Sequence, residues 1–385
     1  MTTTLKSFEN NLPRRVITGR GASKSLNQIL KVNGWRRAFI VSDSGVSRAG
    51  LLQQVATPLS ESDLLAGTFA EVPAEPPIHV VDTIAKSILA CRADVVIALG
   101  GGSVMDAAKV AALCARHGKP ACEFLGMGKT GGRGLPTLLI PTTAGTGSEA
   151  TFVAILTDPT GNKVGVVDPN ILADIAIVDP ALTDGLPAHV TAAAGMDALV
   201  HALEGYIAKC ATPIGRGLAL EAAVRIGRSL SVVCVEPGNT AARDDMAIGS
   251  HLAGMAFANS SCCAVHALAL PLGGRFSIPH GVLTGCFAGE MMRHNAPACA
   301  ADFAAFSVAL GWGAMDAISF ANRLDTLADS IGLRAQLRKT TVSADAIPAI
   351  ARDAVAIRRL MDPNPREVTE ADAVRIYQAV LECVS

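Results

Sequence analysis

The two halves of this 385-residue chain carry different hydrophobic patterns. Up to about residue 185, short apolar runs rich in β-branched residues alternate with helix-like segments. Beyond that point, long segments rich in Ala and Leu follow one another at helical spacing. Alternating strands and helices favour a parallel sheet of βαβ units, whereas an unbroken series of helices favours an all-α unit. We therefore predict an α/β domain over residues 1–185 and an all-helical domain over residues 186–385.

Glycine, proline and short polar stretches divide each half into predicted elements. Strands are predicted in five runs: 14–21, 36–46, 94–103, 135–148 and 174–180. Helices are predicted over 79–92, 104–117, 190–209, 212–231, 241–270, 281–293, 298–310, 314–332, 345–360 and 369–384. Pro271 is expected to end the helix at 241–270. The domain boundary is placed near residues 179–190, where Pro, Gly and Asp cluster.

Charge and composition exclude several classes of protein. The net charge is −1 with no basic stripe, so nucleic acid is not an expected partner. No uncharged apolar run reaches roughly 18 residues, so we expect no membrane span. The first residues form no apolar leader, which makes the cytoplasm the expected location. The ten cysteines form no CxxC pair, and we interpret them as buried small side chains rather than disulfides or a zinc knuckle.

Two loops of small residues follow predicted strands. GGGSVMDAAK (100–109) opens a helix, and PTTAGTGSEAT (141–151) carries the hydroxyls of Thr142, Thr143, Thr146 and Ser148. Free N–H groups at a helix N-terminus bind phosphate, and ligands of open α/β sheets lie beyond the carboxyl ends of the strands. The pair of loops therefore predicts a dinucleotide site, although a tight strand–helix turn would also require small residues.

Asp43 follows another predicted strand, AFIV. A carboxylate at such a strand end accepts hydrogen bonds from the ribose hydroxyls of adenosine and repels a 2′-phosphate. This interpretation favours NAD over NADP. An ordinary turn-forming Asp is the alternative.

Polar residues on apolar helices point to a metal site. Asp197 and His201 are four residues apart, so they share one helix face. His266 and His280 lie in the segment VHALALPLGGRFSIPHG. One carboxylate and three imidazoles suit Fe(II) or Zn(II), although single histidines on apolar helices often serve only as core residues. Glu204, on the same face, is interpreted as an acceptor for a histidine N–H.

The ordered motifs resemble those of a known family. They are GGGSxxDxxK, PTTAGTGSExT, GxDALxHAxExY, HAxAxPLGG, PHG and NPRE, and they span about residues 12–380. This set resembles the iron-containing, or group III, alcohol dehydrogenases. The resemblance implies a Rossmann-like α/β domain followed by an all-helical domain, an architecture also seen in dehydroquinate synthase. It implies NAD(P) between the domains, and Fe(II) or sometimes Zn(II) beneath the nicotinamide.

The resemblance also assigns roles to residues of this chain. The implied metal ligands are Asp197, His201, His266 and His280. The implied cofactor residues are Asp43, Gly100, Gly101, Gly102, Ser103, Thr142, Thr143, Thr146, Ser148 and Lys163, with Lys163 placed in the loop after TDPTGN. Phe257 matches a residue of the substrate pocket. Leu270 departs from the pattern, because many members carry a second histidine there for substrate contact or proton exchange.

The implied activity is metal-dependent hydride transfer between NAD(H) and a small alcohol or aldehyde, by a homodimer or higher homo-oligomer. A related NAD-binding enzyme of another reaction type, like maleylacetate reductase or dehydroquinate synthase, is one alternative. A protein with weak turnover, because Leu270 replaces a histidine, is another. The sequence names neither the substrate nor the metal bound in the cell.

Overall fold

The computed structural model describes residues 7–382. The strands are β1 (Arg15–Thr18), β2 (Ala38–Val41), β3 (Leu65–Phe69), β4 (Val95–Gly100), β5 (Gly126–Met127), β6 (Thr137–Pro141), β7 (Val153–Thr157), β8 (Lys163–Val167) and β9 (Ile175–Val178). The helices of the first half are α1 (Leu26–Asn33), α2 (Ser44–Arg48), α3 (Leu51–Glu61), α4 (Ile78–Ala90) and α5 (Gly102–His117). Those of the second half are α6 (Ala188–Ile207), α7 (Pro213–Val235), α8 (Thr240–Ala258), α9 (Ala264–Phe276), α10 (His280–Ala309), α11 (Ala317–Ser330), α12 (Leu333–Leu337), α13 (Ile347–Val355), α14 (Arg358–Met361) and α15 (Glu370–Glu382).

A parallel sheet organises the first half. Its strand order is β1-β9-β6-β4-β2-β3, and all its pairings are parallel. The side chains of β2, β4, β6 and β9 are buried along their whole length, since helices cover both faces. The predicted α/β sheet followed by helices is therefore confirmed, and all five predicted strands belong to this sheet.

The sequence reading missed four strands. β3 forms an edge of the main sheet, and its partly exposed residues carry no continuous apolar run. β5, β8 and β7 form a second, three-stranded sheet, in which β7 and β8 pair antiparallel. β7 and β8 are rich in β-branched residues, so their composition carried a usable signal.

Apart from the unpredicted short helix α12 and the division of the predicted helix at 345–360 into α13 and α14, the helical half departs from the prediction at three places. The predicted helix at 241–270 is two helices, α8 and α9, separated by residues 259–263. Pro271 lies inside α9 and does not end it, because the flanking residues Ala269 and Leu272 are fully buried and hold the turn in place. The predicted helices at 281–293 and 298–310 form the single helix α10, which contains Pro297. In each case tertiary packing overrides local propensity.

The cysteine interpretation is only partly right. The nine cysteines in the described residues are all free, and five of them are buried. Cys122 and Cys210 are exposed, and Cys91 and Cys234 are half-buried, contrary to the expectation. Cys383 lies outside the described residues. Within residues 7–382, no helix is long and apolar enough to cross a bilayer.

Candidate active site

Two glycine loops meet at the carboxyl edge of the main sheet. β4 ends at Gly100, β6 ends beside it, and Thr142 N donates to Gly100 O at 3.0 Å. A Cβ built on Gly102, the first residue of α5, would lie 2.8 Å from a methyl carbon of Thr146. The second loop therefore packs directly on the N-terminus of α5. This arrangement places both loops beside the N-terminus of α5, where the sequence predicts a phosphate site.

A buried lysine fastens the second loop to α5. Lys109 Nζ donates to Ser148 Oγ at 2.8 Å and to the carbonyls of Thr151 and Val153 at 3.0 Å each. Ser148 Oγ in turn donates to Asp106 Oδ1 at 2.6 Å. Burial lowers the pKa of Lys109 to about 8 and raises the pKa of Asp106. The lysine and aspartate of the first motif thus hold the loop, a role that the sequence reading did not assign to them.

The remaining cofactor candidates lie around the same edge. Asp43 caps α2, with Oδ1 accepting from Gly45 N at 2.7 Å and Val46 N at 2.9 Å. The turn-forming interpretation of Asp43 is therefore realised, and Oδ2 takes no part in those two bonds. Ser103 Oγ donates to Ala74 O.

Lys163 is placed differently from the expectation. It is the first residue of β8 rather than part of the preceding loop. Its Nζ lies 3.0 Å from Glu75 Oε2 and 3.2 Å from Thr157 Oγ1. The antiparallel pairing of β7 and β8 fixes this position, because Lys163 pairs with Thr157.

The four candidate metal ligands converge from three helices. Asp197 Oδ1 lies 3.6 Å from His266 Nε2 and 3.7 Å from His280 Nε2, and Asp197 Oδ2 lies 3.8 Å from His201 Nδ1. Asp197, His201 and His266 are at most 5% exposed, whereas the His280 side chain is 40% exposed. The structure therefore brings the four predicted ligands together, and the cluster is exposed on the side of His280.

Neighbouring groups fix the orientation of these ligands. His266 Nδ1 donates to Glu204 Oε2 at 2.6 Å, which is the contact expected for Glu204. His201 Nδ1 donates to Gly145 O at 3.3 Å, and the ring of Phe257 stacks on His201 with centroids 4.3 Å apart. A hydrogen bond donated by one ring nitrogen selects the histidine tautomer whose other ring nitrogen is free to bind a metal.

The charge states in the cluster suit a cation. Burial lowers the pKa of His201 to about 3 and also lowers the pKa of His280. Burial would raise the pKa of Asp197, but the nearby His201 and His280 outweigh it and lower that pKa. The carboxylate is therefore ionised and the imidazoles of His201 and His280 are neutral at pH 7, which are the forms that bind metals. Burial would lower the pKa of His266, but Cys262 and Glu204 outweigh it and raise that pKa well above its usual value, so this ring would release a proton when an ion binds.

One buried nitrogen atom of the cluster gives separate support for a bound metal ion. His266 Nε2 is buried and has no hydrogen-bond partner among the described residues. An unpaired buried polar atom costs about 1–3 kcal/mol, so such atoms usually have a partner. A divalent ion among these nitrogen and oxygen donors would supply one, and the donor set fits Fe(II) or Zn(II).

A single cavity of about 540 Å³ joins the two groups of residues. From the first half, its wall includes Gly102, Ser103, Thr146, Ser148 and Lys163. From the second half it includes Asp197, His201, Phe257, His266, Leu270 and His280. The other cofactor candidates lie at the sheet edge, beyond this wall; they are Asp43, Gly100, Gly101, Thr142 and Thr143. A nucleotide running from the sheet edge into the cavity would reach the histidine cluster.

Three residues of the site escaped the sequence reading. Thr284 Oγ1 donates to Asp197 Oδ1 at 3.0 Å. Cys262 and Arg359 line the cavity. All three residues lie within about five positions of the quoted motifs HAxAxPLGG, PHG and NPRE, but those motifs assign them no role.

Comparison with known proteins agrees with this geometry. The family model described as iron-containing alcohol dehydrogenase matches residues 13–180, and its C-terminal counterpart matches residues 191–381. Long-chain-alcohol dehydrogenase 1 of Geobacillus thermodenitrificans is 36% identical over 372 residues, covering 94% of this chain and 93% of the relative.

Two solved structures extend the comparison to the fold. A 1,3-propanediol oxidoreductase superposes with a TM-score of 0.92 at 30% identity, covering 97% of this chain and 100% of its own. Sulfoacetaldehyde reductase from Bifidobacterium kashiwanohense, solved with NAD+, superposes with a TM-score of 0.89 at 29% identity, covering 97% and 99%. No comparison favours a different reaction type. The chain belongs to the iron-containing alcohol dehydrogenase family and is an NAD(H)-linked oxidoreductase that interconverts alcohols and aldehydes.

Proposed function

We propose that the reaction takes place in the 540 Å³ cavity, with the nicotinamide end of NAD(H) beside the cluster of Asp197, His201, His266 and His280. The observation that carries this proposal is that the loop of residues 141–151, here named the nucleotide loop, lines the same cavity as the histidine cluster. A hydride donor and an aldehyde must meet within van der Waals distance, so a shared cavity is the arrangement that the chemistry needs.

The cofactor roles follow the geometry of the sheet edge. Gly100, Gly101, Gly102 and Ser103 at the N-terminus of α5 would bind the pyrophosphate. Thr142, Thr143, Thr146 and Ser148 would line the nucleotide, and Lys163 would reach it from β8. Asp43 would bind the adenosine ribose through Oδ2, because Oδ1 is already used to cap α2. That carboxylate favours NAD over NADP.

The four ligands would hold Fe(II) or Zn(II). When bound, such an ion acts as a Lewis acid toward the substrate oxygen. Glu204 and Gly145 O keep His266 and His201 in the tautomers that bind the ion. Phe257 stacks on the His201 ring and would help to exclude water from the reacting carbon.

Leu270 constrains the path of the proton. It lies one helical turn after His266 in α9 and lines the cavity, at the position where the family resemblance implies a histidine. A leucine side chain exchanges no proton, so the alcohol proton has to leave through a nucleotide ribose hydroxyl or a chain of water.

The cavity favours an aldehyde that carries both an apolar chain and an acid group. Phe257, Leu270 and Leu360 supply apolar wall, and Arg359 supplies a cation. Within residues 7–382, no acidic group forms an ion pair with Arg359, whereas the adjacent Arg358 pairs with Asp362. An unpaired guanidinium binds a carboxylate or sulfonate well. A structural relative is named for sulfoacetaldehyde, an aldehyde that carries a sulfonate.

Replacement of Arg359 tests the substrate class. Charge-assisted hydrogen bonds contribute about 1.5–3 kcal/mol, so kcat/KM of Arg359→Leu for an acid-bearing aldehyde should fall roughly 10- to 100-fold. The value for a neutral aldehyde of equal length should stay within about twofold. Arg358→Leu is the matched control. An equal loss on both aldehydes would remove Arg359 from substrate selection.

Three further properties are part of the proposal. The domain boundary lies between residues 185 and 186, since α6 begins at Ala188. The enzyme works in the cytoplasm, which the free cysteines support, because such compartments keep thiols reduced. It forms a homodimer or higher homo-oligomer, as the family resemblance implies, and sedimentation analysis of the purified chain tests this.

Removal of one ligand tests the site itself. His280→Ala should lose the bound metal, and turnover should fall by more than about 100-fold, since even outer contacts of a metal site cost 10- to 100-fold. NADH binding, followed by fluorescence, should persist. His189→Ala changes an exposed histidine at the start of α6 and is the control. Turnover of His280→Ala at the wild-type rate would contradict the assignment.

A further inference from the structure

Cys262 lies against the proposed metal centre. A ring nitrogen of His201, a ring nitrogen of His266 and Cys262 Sγ all lie within 4.8 Å of one another. All three residues are buried, with Cys262 8% exposed. A second group of ligand atoms, from Asp197, His266 and His280, is equally compact and shares His266. The thiol therefore adjoins the four-ligand set from the side of His201.

The chain holds this cysteine in place by two devices. Ser261 adopts a φ of +96°, a backbone conformation that non-glycine residues rarely take, and so turns the chain between α8 and α9. Cys263 N donates to Glu204 Oε2 at 2.8 Å, and the same oxygen accepts from His266 Nδ1. One carboxylate thus fixes His266 and the residue next to Cys262 together.

A second observation points to a ligand between these groups. His266 Nε2, the nitrogen not used by Glu204, is buried without a hydrogen-bond partner among the described residues. A ring nitrogen of His266 belongs to each of the two compact groups of ligand atoms. An ion held by this ring would therefore lie close to Cys262 Sγ.

We propose that Cys262 is an additional, thiolate ligand of the metal ion. This inference rests on the proposed function for the four-ligand set and adds a sulfur donor to it. On binding, the S–H bond breaks, a sulfur–metal bond forms and the proton passes to solvent. Because thiolate is a soft donor, its presence increases the preference for Zn(II) over Fe(II) relative to a site with only nitrogen and oxygen donors.

Cobalt substitution tests the bond directly. The full-length protein is stripped with a chelator, loaded with Co(II) and measured for metal content and near-ultraviolet absorption. A thiolate bound to Co(II) gives an intense charge-transfer band that nitrogen and oxygen donors do not give. We expect one Co(II) per chain and this band in the wild type. Cys262→Ser should lose the band and keep the ion, whereas Cys263→Ser, at the adjacent buried cysteine, should keep both.

The outcomes separate this inference from the proposed function. Two results would contradict a thiolate ligand: one Co(II) per chain without the band in the wild type, or a band that remains in Cys262→Ser. Either result would still be consistent with the four-ligand metal site. Failure of the wild type to bind Co(II) overturns both. The wild-type spectrum decides even if the serine variant does not fold. A further expectation is that Cys262→Ser shifts the ratio of Zn(II) to Fe(II) affinity about tenfold toward Fe(II).

Discussion

Glu204 connects the metal centre to the helix that carries His266. Its buried carboxylate accepts from His266 Nδ1 at 2.6 Å, from Val265 N at 2.7 Å and from Cys263 N at 2.8 Å. The last two are N–H groups at the start of α9 that lack partners within the helix. The same side chain therefore caps a helix and sets a histidine tautomer.

Glu204→Gln should weaken the metal site more than it weakens the fold. The amide retains one acceptor oxygen and leaves about one N–H unpaired, a cost of about 1–3 kcal/mol in the free energy of unfolding. Metal affinity should fall roughly 10- to 100-fold, because His266 loses its charged partner. Chelator competition measures the affinity and urea titration the stability, with the exposed Glu221→Gln as control. An unchanged metal affinity would contradict this role.

Leu270 offers a test of the proton path. Leu270→His places an imidazole one turn after His266, at the cavity wall. The pH profile of kcat should then gain an ionisation within about one unit of pH 6.5, the ordinary pKa of histidine. Leu270→Gln, polar but without a proton to exchange in this range, should keep the wild-type profile. Identical profiles for all three proteins would mean that this position does not contact the proton path.

Individual site residues could be predicted where their spacing along the sequence places their side chains close together. Asp197 and His201 share a helix face, and His266 and His280 stand out in an apolar segment, so the ligand set was accessible to sequence reasoning. Cys262 and Thr284 were not. Their contacts depend on how α9 and α10 pack against α6, and residue spacing does not encode that packing.

At the scale of elements, Lys109 is the feature with the clearest pH dependence. Its amino group is buried in α5 beneath the loop of Ser148, and its pKa falls from 10.5 to about 8. Between those pH values the unfolded chain binds a proton that the folded chain does not. The free energy of unfolding therefore rises with pH across this window, by up to about 3 kcal/mol from this group.

Lys109→Met should remove that rise. Chemical denaturation of both proteins at intervals from pH 8 to 10.5 measures it. The stability of the wild type should increase relative to the variant as pH rises, and the difference should be flat below pH 8, where Lys109 is protonated in both states. Parallel curves across the window would show that the buried amino group does not titrate as described.

Element boundaries were less predictable than element types. The local pattern predicted one helix where the structure has α8 and α9, because the Ala-rich sequence continues across residues 259–263. The turn between the two helices depends on the backbone conformation of Ser261. Local pattern also divided α10 at Pro297 and ended α9 at Pro271, where proline favours a stop. Burial on both sides of these prolines maintains the helices.

At the scale of the whole molecule, the cavity depends on a close contact between its two walls. Gly147, in the loop after β6, has a φ of +59°, and a Cβ on Gly254 of α8 would lie 2.7 Å from its carbonyl oxygen. Nearby, His251 Nδ1 donates to Glu149 Oε1 at 2.9 Å, with both residues buried. These contacts press the nucleotide loop against the helix that carries Phe257.

Gly254→Ala should disturb that contact. The added methyl group meets backbone atoms, so the loop or α8 must shift, at a cost of about 1–3 kcal/mol in the free energy of unfolding. NADH affinity should fall with it, since Thr146 and Ser148 move with the loop. Gly217→Ala, in α7 with open space around it, should instead stabilise the protein by about 0.5–1 kcal/mol. Wild-type NADH affinity in Gly254→Ala would show that the contact does not position the loop.

Periodicity predicted the two halves of the molecule, because strand–helix alternation and continuous helical spacing are properties of the local sequence. In the second sheet, β5 was beyond prediction, since it has two residues and pairs with a strand far along the chain. The cavity was beyond prediction from these residues alone. It exists only where loops of the first half pack on α6, α8 and α9.

Metal titration tests the central claim most directly. The stripped enzyme is titrated with Fe(II) or Zn(II) while NADH oxidation with an aldehyde is followed. We predict no turnover without metal, a linear rise that ends at one equivalent per chain, and no rise in His280→Ala. Full turnover of the metal-free wild type would contradict a catalytic metal held by Asp197, His201, His266 and His280.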